Sequence, residues 1–422
     1  MEDLVRPLLE APAGTMWIGT RRGALHRLRG DRLDVFRLPD AARGNAVLSL
    51  ASARDGRPWV GLAGRGIARP VNGALALVDG LEGTIDALSL LEDQAGRLWI
   101  GHNGQGLWRR DLDGRLHRYG VAHGLPSGIV RVLTQDTLGR LWAGTDGGLV
   151  RLHATPDTTR FDIFTTTDGL AENAVFALLE DDDAAPGTLW IGGGGLLSRL
   201  TTTPDGTLRF DALDHERMLL DDGAGSLWTR RVNSLYRVRK RDLHALADGQ
   251  IDGVAGTSYG PEVGVSGEGV YGFSPPAARA EDGRLFFPTT LGVAIVDLDA
   301  LPPSLPPPPV AVTRVDADAN SFMGPAAPAR FPPALNRLEL HFNAFDLTAP
   351  DRVHYRYHLD GFDEGWTATG LRRSAVYTNL APGRYTFYVE AANHQGVWSA
   401  EPARYAFTVE PRLSQTWWFR LG

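Results

Sequence analysis

Four glycines in a row, Gly192-Gly193-Gly194-Gly195, are the first place in this chain to look for phosphate chemistry. A Walker loop must end in Gly-Lys-Ser/Thr, and a dinucleotide loop must open a helix. Neither context is present, so the run reads as a turn. His215-Glu216-Arg217-Met218-Leu219 begins like a zinc-protease helix but lacks the second histidine. Gly264-Val265-Ser266-Gly267-Glu268 departs from the nucleophile elbow at its last position. Asp181-Asp182-Asp183 offers carboxylates of the kind calcium takes. It falls at a hairpin where other copies of a repeat carry Asp and Gly, so a solvated turn is expected. Asp111-Leu112-Asp113-Gly114 lacks the remaining ligands of a calcium loop. His354 and His358 share a strand face, but the strand's rise separates them by about 13 Å, too far for one metal. There is no cysteine, hence no disulfide and no thiolate metal site. The expectation is a chain without cofactor, metal or catalytic residues.

What positions these residues is a repeated phrase. It appears as Gly14-Thr15-Met16-Trp17-Ile18-Gly19 and recurs around Trp59, Trp99, Trp142 and Trp190. Two worn copies follow around Trp228 and Phe286. The aromatic positions are 42, 40, 43, 48, 38 and 58 residues apart. A period of about 40–45 residues built of short strands and turns is the signature of a β-propeller blade. In the third copy, strands are expected over 85–92, from Leu98, over Leu107–Arg110 and over Leu116–Tyr119, with turns at Asp93–Gly96, Asn103–Gly106 and Asp113-Gly114. The aromatic residues are expected to pack between neighbouring blades, where each buries roughly 150–250 Å². The chain opens in the first strand of the first blade, and the last blade shows no fourth strand after Val293–Val296. Either the stretch near Val310 supplies it, or it lies upstream of Met1 in a longer chain.

Composition is that of a globular protein, 43% hydrophobic and 22% charged. A net charge of −7 argues against nucleic-acid binding, which calls for a basic patch. No stretch approaches the ~18–20 apolar residues of a membrane span, and residues 1–20 lack the pattern of a signal peptide. The division expected is a propeller over 1–301, a Pro-rich linker over 302–309, a second domain over 310–413 and a tail over 414–422. Beyond the linker the period stops. Strands expected at 310–315, 337–345, 353–359, 375–379, 384–392 and 404–409 suggest an immunoglobulin- or fibronectin-like sandwich. The fold class is therefore all-β: a seven-bladed propeller followed by a β-sandwich.

Two stretches then carry a resemblance. Val353-His-Tyr-Arg-Tyr-His-Leu-Asp-Gly-Phe-Asp-Glu-Gly-Trp366, Ala375-Val-Tyr-Thr-Asn-Leu-Ala-Pro-Gly-Arg-Tyr-Thr-Phe387 and Ala392-Asn-His-Gln-Gly-Val-Trp-Ser399 resemble the triple-tyrosine (Y_Y_Y) domain. Its three tyrosines map onto Tyr357, Tyr377 and Tyr385. The phrase from Asp136 to Thr145 resembles the two-component regulator propeller. The resemblance implies the extracytoplasmic sensor of a bacterial membrane receptor, with a helix beyond the C-terminus and a histidine kinase, diguanylate cyclase or helix-turn-helix output. Trp417-Trp418-Phe419-Arg420 suits a membrane interface. It also implies a small-molecule ligand, of which carbohydrate is one candidate, and homodimers in the full receptor.

Loops after the second strand and blade junctions are where a rigid scaffold usually carries binding. The ligand-binding candidates are Arg65, His102, Asn103, Asp146 and Asn173. Tyr259 and Glu262 join them from a Gly-rich insert over 250–276 that also holds Glu268 and Tyr271. Two other readings stand beside the sensor: a propeller lyase of the streptogramin-lyase kind, and a non-catalytic protein-interaction platform. Fold alone does not choose among them.

Overall fold

The computed structural model describes residues 4–12, 14–39, 45–83, 85–155, 158–215, 220–231, 234–251, 253–254, 256–260, 265–269, 274–301, 308–324, 330–333, 335–346, 350, 353–370, 372–393 and 397–411. Two compact units are present, one of residues 1–254 with 258–301, the other of 302–422 with 255–257.

The first unit is a seven-bladed propeller. Its sheets run in chain order, six with four antiparallel strands and the seventh with three among the described residues. The third blade has strands Ala87–Glu92, Leu98–His102, Leu107–Arg110 and Leu116–Tyr119, close to the ranges expected from sequence. The strand ladders stay within each blade, so packed side chains make most of the seams between blades. Trp17 packs on Val47, Leu50, Val60 and Leu62 of the second blade. Trp99 packs on Val130, Leu141 and Ala143 of the fourth, and Trp142 on Val175, Leu178 and Leu189 of the fifth. Trp190 meets Leu227 and Val238, and Trp228 meets Leu285 and Phe287. Phe286 closes the ring against Val5, Leu8 and Met16 of the first blade. Trp59 is the half-buried member, with Arg69 4.2 Å above its ring and its indole donating to Glu92 of the next blade.

The glycine that ends the phrase has its own task. A Cβ on Gly19 would lie 2.6 Å from a Val47 methyl, and on Gly101 2.7 Å from the Val130 carbonyl oxygen. On Gly144 it would lie 2.6 Å from a Val175 methyl. Glycine therefore lets the inner strand of the next blade close onto the seam. Aromatic bulk and an absent side chain, two residues apart, shape one interface.

Three expectations need correction. The stretch near Val310 does not complete the seventh blade, because Val310–Ala317 pairs with Arg337–Ala344 in the second unit. The departure in the sixth blade begins earlier than residue 250, with the helix Lys240–Ala247 between its third strand and Thr257–Tyr259. The alternation of Leu243 and Leu246 with charged neighbours is helical, and Leu243 is buried against Trp190. Asp181 is not part of a solvated turn, since it is 2% exposed.

The second unit is a two-sheet β structure. One sheet runs Asn320–Met323, Val310–Ala317, Arg337–Ala344, Ser374–Thr378. The other runs Arg330–Phe331, Ala403–Val409, Gly383–Ala392, His354–Asp360, Thr367–Gly370. Alternating inward residues, among them Leu338, Leu340, Phe342, Leu359, Phe387 and Val389, form one core. The strands Asn320–Met323, Arg330–Phe331 and Thr367–Gly370 were not expected from sequence; all are four residues or shorter.

Candidate functional site

Alternating strands give the propeller two rims. Second strands end, and first strands begin, at the junction rim; first–second and third–fourth turns gather at the hairpin rim. Val5 opposite Thr20 and Val130 opposite Thr145 fix this arrangement.

Arg65, Asn103, Asp146 and Asn173 all fall on the junction rim, but most of their polar atoms are used to build it. Asp146 makes a two-point ion pair with Arg131, one arm at 2.8 Å, and Arg131 lies 4.6 Å over the Phe176 ring. Asn173 Oδ1 accepts the Thr166 amide at 2.8 Å and so holds the junction into the fifth blade. His102 is buried and stacked on Trp108, with both ring nitrogens facing backbone amides of Asp86 and Gln105. Tyr259 is buried too, its ring 5.3 Å from Trp228, so it belongs to the seam of blades six and seven. Glu262 and Tyr271 lie outside the described residues.

Arg65 and Asn103 remain. Neither side chain makes a hydrogen bond or ion pair within the described residues. They flank Asp86, whose carboxylate accepts the Gly64 amide at 2.7 Å and whose carbonyl accepts the Asn103 amide at 3.0 Å. One junction thus brings the backbone at Gly64-Arg65 and at Asn103 against Asp86, across blades two and three.

The four-glycine run is a cradle that already holds an anion. Glu172 Oε2 accepts the amides of Gly195 at 2.8 Å and Leu196 at 3.1 Å. A Cβ on Gly193 would lie 2.9 Å from the Glu172 Cβ, so glycine there admits the carboxylate's approach.

At the hairpin rim an aspartate organises four of the blades. Asp93, Asp136 and Asp222 each stand six residues before a tryptophan and accept its indole N–H at 2.8–2.9 Å. The same carboxylates accept turn amides; Asp93 Oδ1 takes those of Ala95 and Arg97. The Asp-to-Trp spacing of six was the sequence signal for this role. In the fifth blade Asp181 takes the Trp190 indole and gathers more. Lys240 Nζ sits 3.1 Å from Asp181, 2.7 Å from Asp221 and 2.5 Å from Asp183. Arg199 donates to His244 Nδ1, so Nε2 is the protonated ring nitrogen that donates to Asp181 at 2.9 Å. Burial opposes ionisation of Asp181, but bonds from His244, Lys240 and Trp190 outweigh it and hold the carboxyl well below the usual range. Burial likewise opposes the charge on Lys240, and the three carboxylates hold its pKa above the ordinary lysine value. Where sequence offered a calcium reading, an ammonium occupies the centre.

In the second unit the tyrosines knit its core. Tyr357 and Tyr377 meet edge to face at 6.1 Å, and Tyr377 donates to Asp363 at 2.7 Å. Tyr385 donates to the Ala381 carbonyl four residues back, tying down the turn before its strand. Tyr355, absent from the candidates, is 1% exposed and packs on Phe342. Asp316, Glu339 and His341 come together on the other sheet with metal-ligand spacing. Arginines already pair with that group: Arg314 lies 3.1 Å from Asp316 and 2.9 Å from His341, and Arg337 lies 2.7 Å from Glu339.

Residues 346–410 match the family described as the Y_Y_Y domain, and residues 124–147 match the two component regulator propeller. The Y_Y_Y match lies within the second unit, and the regulator-propeller match lies within the fourth blade and the turn that leads into it. Over 64 residues it is 36% identical to histidine kinase P4 of Formosa agariphila, a stretch covering 15% of this chain and 5% of that protein. Its fold is shared with the extracellular domain of a hybrid two component system from B. thetaiotaomicron. The TM-score is 0.61 at 20% identity, over 97% of this chain and 56% of that one. The extracellular domain of a one component system from the same organism gives a TM-score of 0.53 at 16% identity, over 97% and 57%. The chain thus spans little more than half the length of these solved domains. The buried tyrosines of the Y_Y_Y domain and the Trp–Asp pairs of the regulator propeller are scaffold.

Proposed function

We propose that this chain is the extracytoplasmic sensor region of a bacterial membrane-spanning signalling receptor, of the two-component kinase or diguanylate cyclase type. The observation that carries the reading is the succession of a regulator propeller and a Y_Y_Y domain in one chain. In this reading the chain itself is not an enzyme. The propeller binds a small ligand, carbohydrate being the first class to try, at the junction rim where Arg65 and Asn103 flank Asp86. Guanidinium and carboxamide donors there suit hydroxyl and carboxylate oxygens. The Y_Y_Y domain passes occupancy on through pairing of two receptors. The described residues hold no helix long and apolar enough to cross a membrane, so the reading places the anchor beyond Gly422.

The gene on either side of this chain is the first test. A hydrophobic helix after Gly422 followed by a kinase, cyclase or DNA-binding domain is expected; a stop codon there overturns the receptor reading. Calorimetric titration with a panel of neutral and acidic saccharides tests the site. A hit should weaken at least about tenfold in Arg65→Ala, the loss of one charged hydrogen bond. A hit indifferent to that change overturns the placement of the site.

A further inference from the structure

The hairpin rim carries a second feature, on the first two blades. A groove of about 650 Å³ is lined by Pro12, Trp17, Arg27, Arg29, Arg32, Asp34, Phe36, Arg57 and the Pro70–Gly73 turn. Four arginines face it against the single carboxylate of Asp34. That imbalance stands out in a chain whose net charge is −7.

The arginines share too few partners. Arg27 and Arg32 both bond Asp34, at 2.6 and 3.0 Å. Arg57 bonds Asp55 at 2.7 Å, and Asp55 is shared again with Arg69. The Arg29 side chain makes no hydrogen bond or ion pair within the described residues. Two carboxylates thus serve four guanidinium groups, and a fifth has none. The base of the groove holds Arg27 in place over the Trp17 and Phe36 rings, at 5.7 and 5.3 Å. Guanidinium forks suit planar or tetrahedral oxyanions, and Arg29, Arg32 and Arg57 stand exposed beside the held Arg27. The volume is that of a small organic ligand rather than a lone ion.

We infer that this groove binds a small organic polyanion, a molecule carrying two or more carboxylate, sulfate or phosphate groups, between Arg29, Arg32 and Arg57. Its position on the rim opposite Arg65 and Asn103 makes it a separate site, and it does not depend on the receptor reading.

The purified chain is titrated calorimetrically at low salt with citrate, sucrose octasulfate and pyrophosphate, and with sucrose as the neutral control. The three anions separate the carboxylate, sulfate and phosphate sources. Arg29→Gln with Arg32→Gln, and Arg57→Gln separately, remove exposed guanidinium groups; melting curves confirm folding. Arg241→Gln removes one exposed charge from the sixth blade, outside both sites. Binding of at least one anion, weakened about tenfold or more by the groove substitutions and unchanged by Arg241→Gln, supports the inference. Binding should also fall as salt rises. No binding of any of the three anions, or binding that the groove substitutions weaken no more than Arg241→Gln does, overturns it.

Discussion

Lys240 Nζ lies 3.1 Å from Asp181 Oδ1, a buried ammonium from a helix held by a buried carboxylate from the neighbouring blade. The helix Lys240–Ala247 interrupts the four-strand plan of blade six, and this pair ties it to blade five. Removing one partner of a buried ion pair leaves the other uncompensated. Lys240→Met is therefore expected to cost about 3 kcal/mol or more. Urea unfolding followed by tryptophan fluorescence measures this, since the Trp190 indole bonds the same carboxylate.

The same cluster sets a pH dependence. Asp181 has its folded pKa lowered, so its contribution is present above the unfolded value near 3.8 and is lost as pH falls below it. Lys240 has its folded pKa raised, so its contribution is present below 10.5 and is lost as pH rises through the folded value. Asp221, raised by burial against the pull of Lys240, runs opposite to Asp181 and offsets part of the acid loss. Urea midpoints should hold between about pH 5 and 10 and fall outside that window. Lys240→Met should remove the alkaline fall that this lysine supplies.

The Asp–Trp pairs predict a cost that follows burial. Asp136 accepts the Trp142 indole, the Arg140 amide and Arg140 Nε through a side chain with no exposure. Asp136→Asn keeps the shape but turns acceptors into donors, and about 1–3 kcal/mol should be lost. Glu92→Gln, at the half-buried Trp59, should lose less. Thermal melting of the two variants side by side decides the order.

The seam glycines predict overpacking. A methyl on Gly101 would meet the Val130 carbonyl oxygen at 2.7 Å, and backbone yields less readily than a side chain. Gly101→Ala is expected to destabilise by about 1–3 kcal/mol. Gly195→Ala, with nothing within reach of its Cβ, is the control and should be close to neutral in a melt.

In the Y_Y_Y domain, burial and the hydrogen bond to Asp363 raise the pKa of Tyr377, and burial alone pushes Tyr405 to about 12. Raised tyrosines stabilise the fold fully below pH 10 and lose that contribution as pH climbs past it. Absorbance titration should show these rings ionising late, together with alkaline unfolding. Tyr377→Phe should cost about 1 kcal/mol, because Asp363 keeps its bond from the Leu359 amide.

Legibility differed by kind of signal. The blades were readable because Trp17, Trp99 and Trp142 recur with fixed neighbours, and repetition averages out local ambiguity. The helix at Lys240 was missed because eight residues in a strand-rich context give little periodicity to count. Asp181 was read as a turn residue because a carboxylate's burial depends on a lysine fifty-nine positions away. Strand alternation was enough to place four of the candidate binding residues, Arg65, Asn103, Asp146 and Asn173, on one rim. Their availability was not legible: Asp146, Asn173 and His102 carry the side chains typical of ligand contacts, and such groups also make the hydrogen bonds that hold a loop. Tyr259 was misjudged by the same rule that works elsewhere in this chain, since aromatic residues near a seam belong to it.

The carboxylate of Glu172 in its glycine cradle behaves as a tethered ligand. A partner on a short chain acts at an effective concentration of order millimolar. A free phosphate or carboxylate reaching Gly195 would compete with an occupant that cannot diffuse away. The glycine run that first suggests phosphate chemistry is a loop whose amides are already taken by the chain's own side chain.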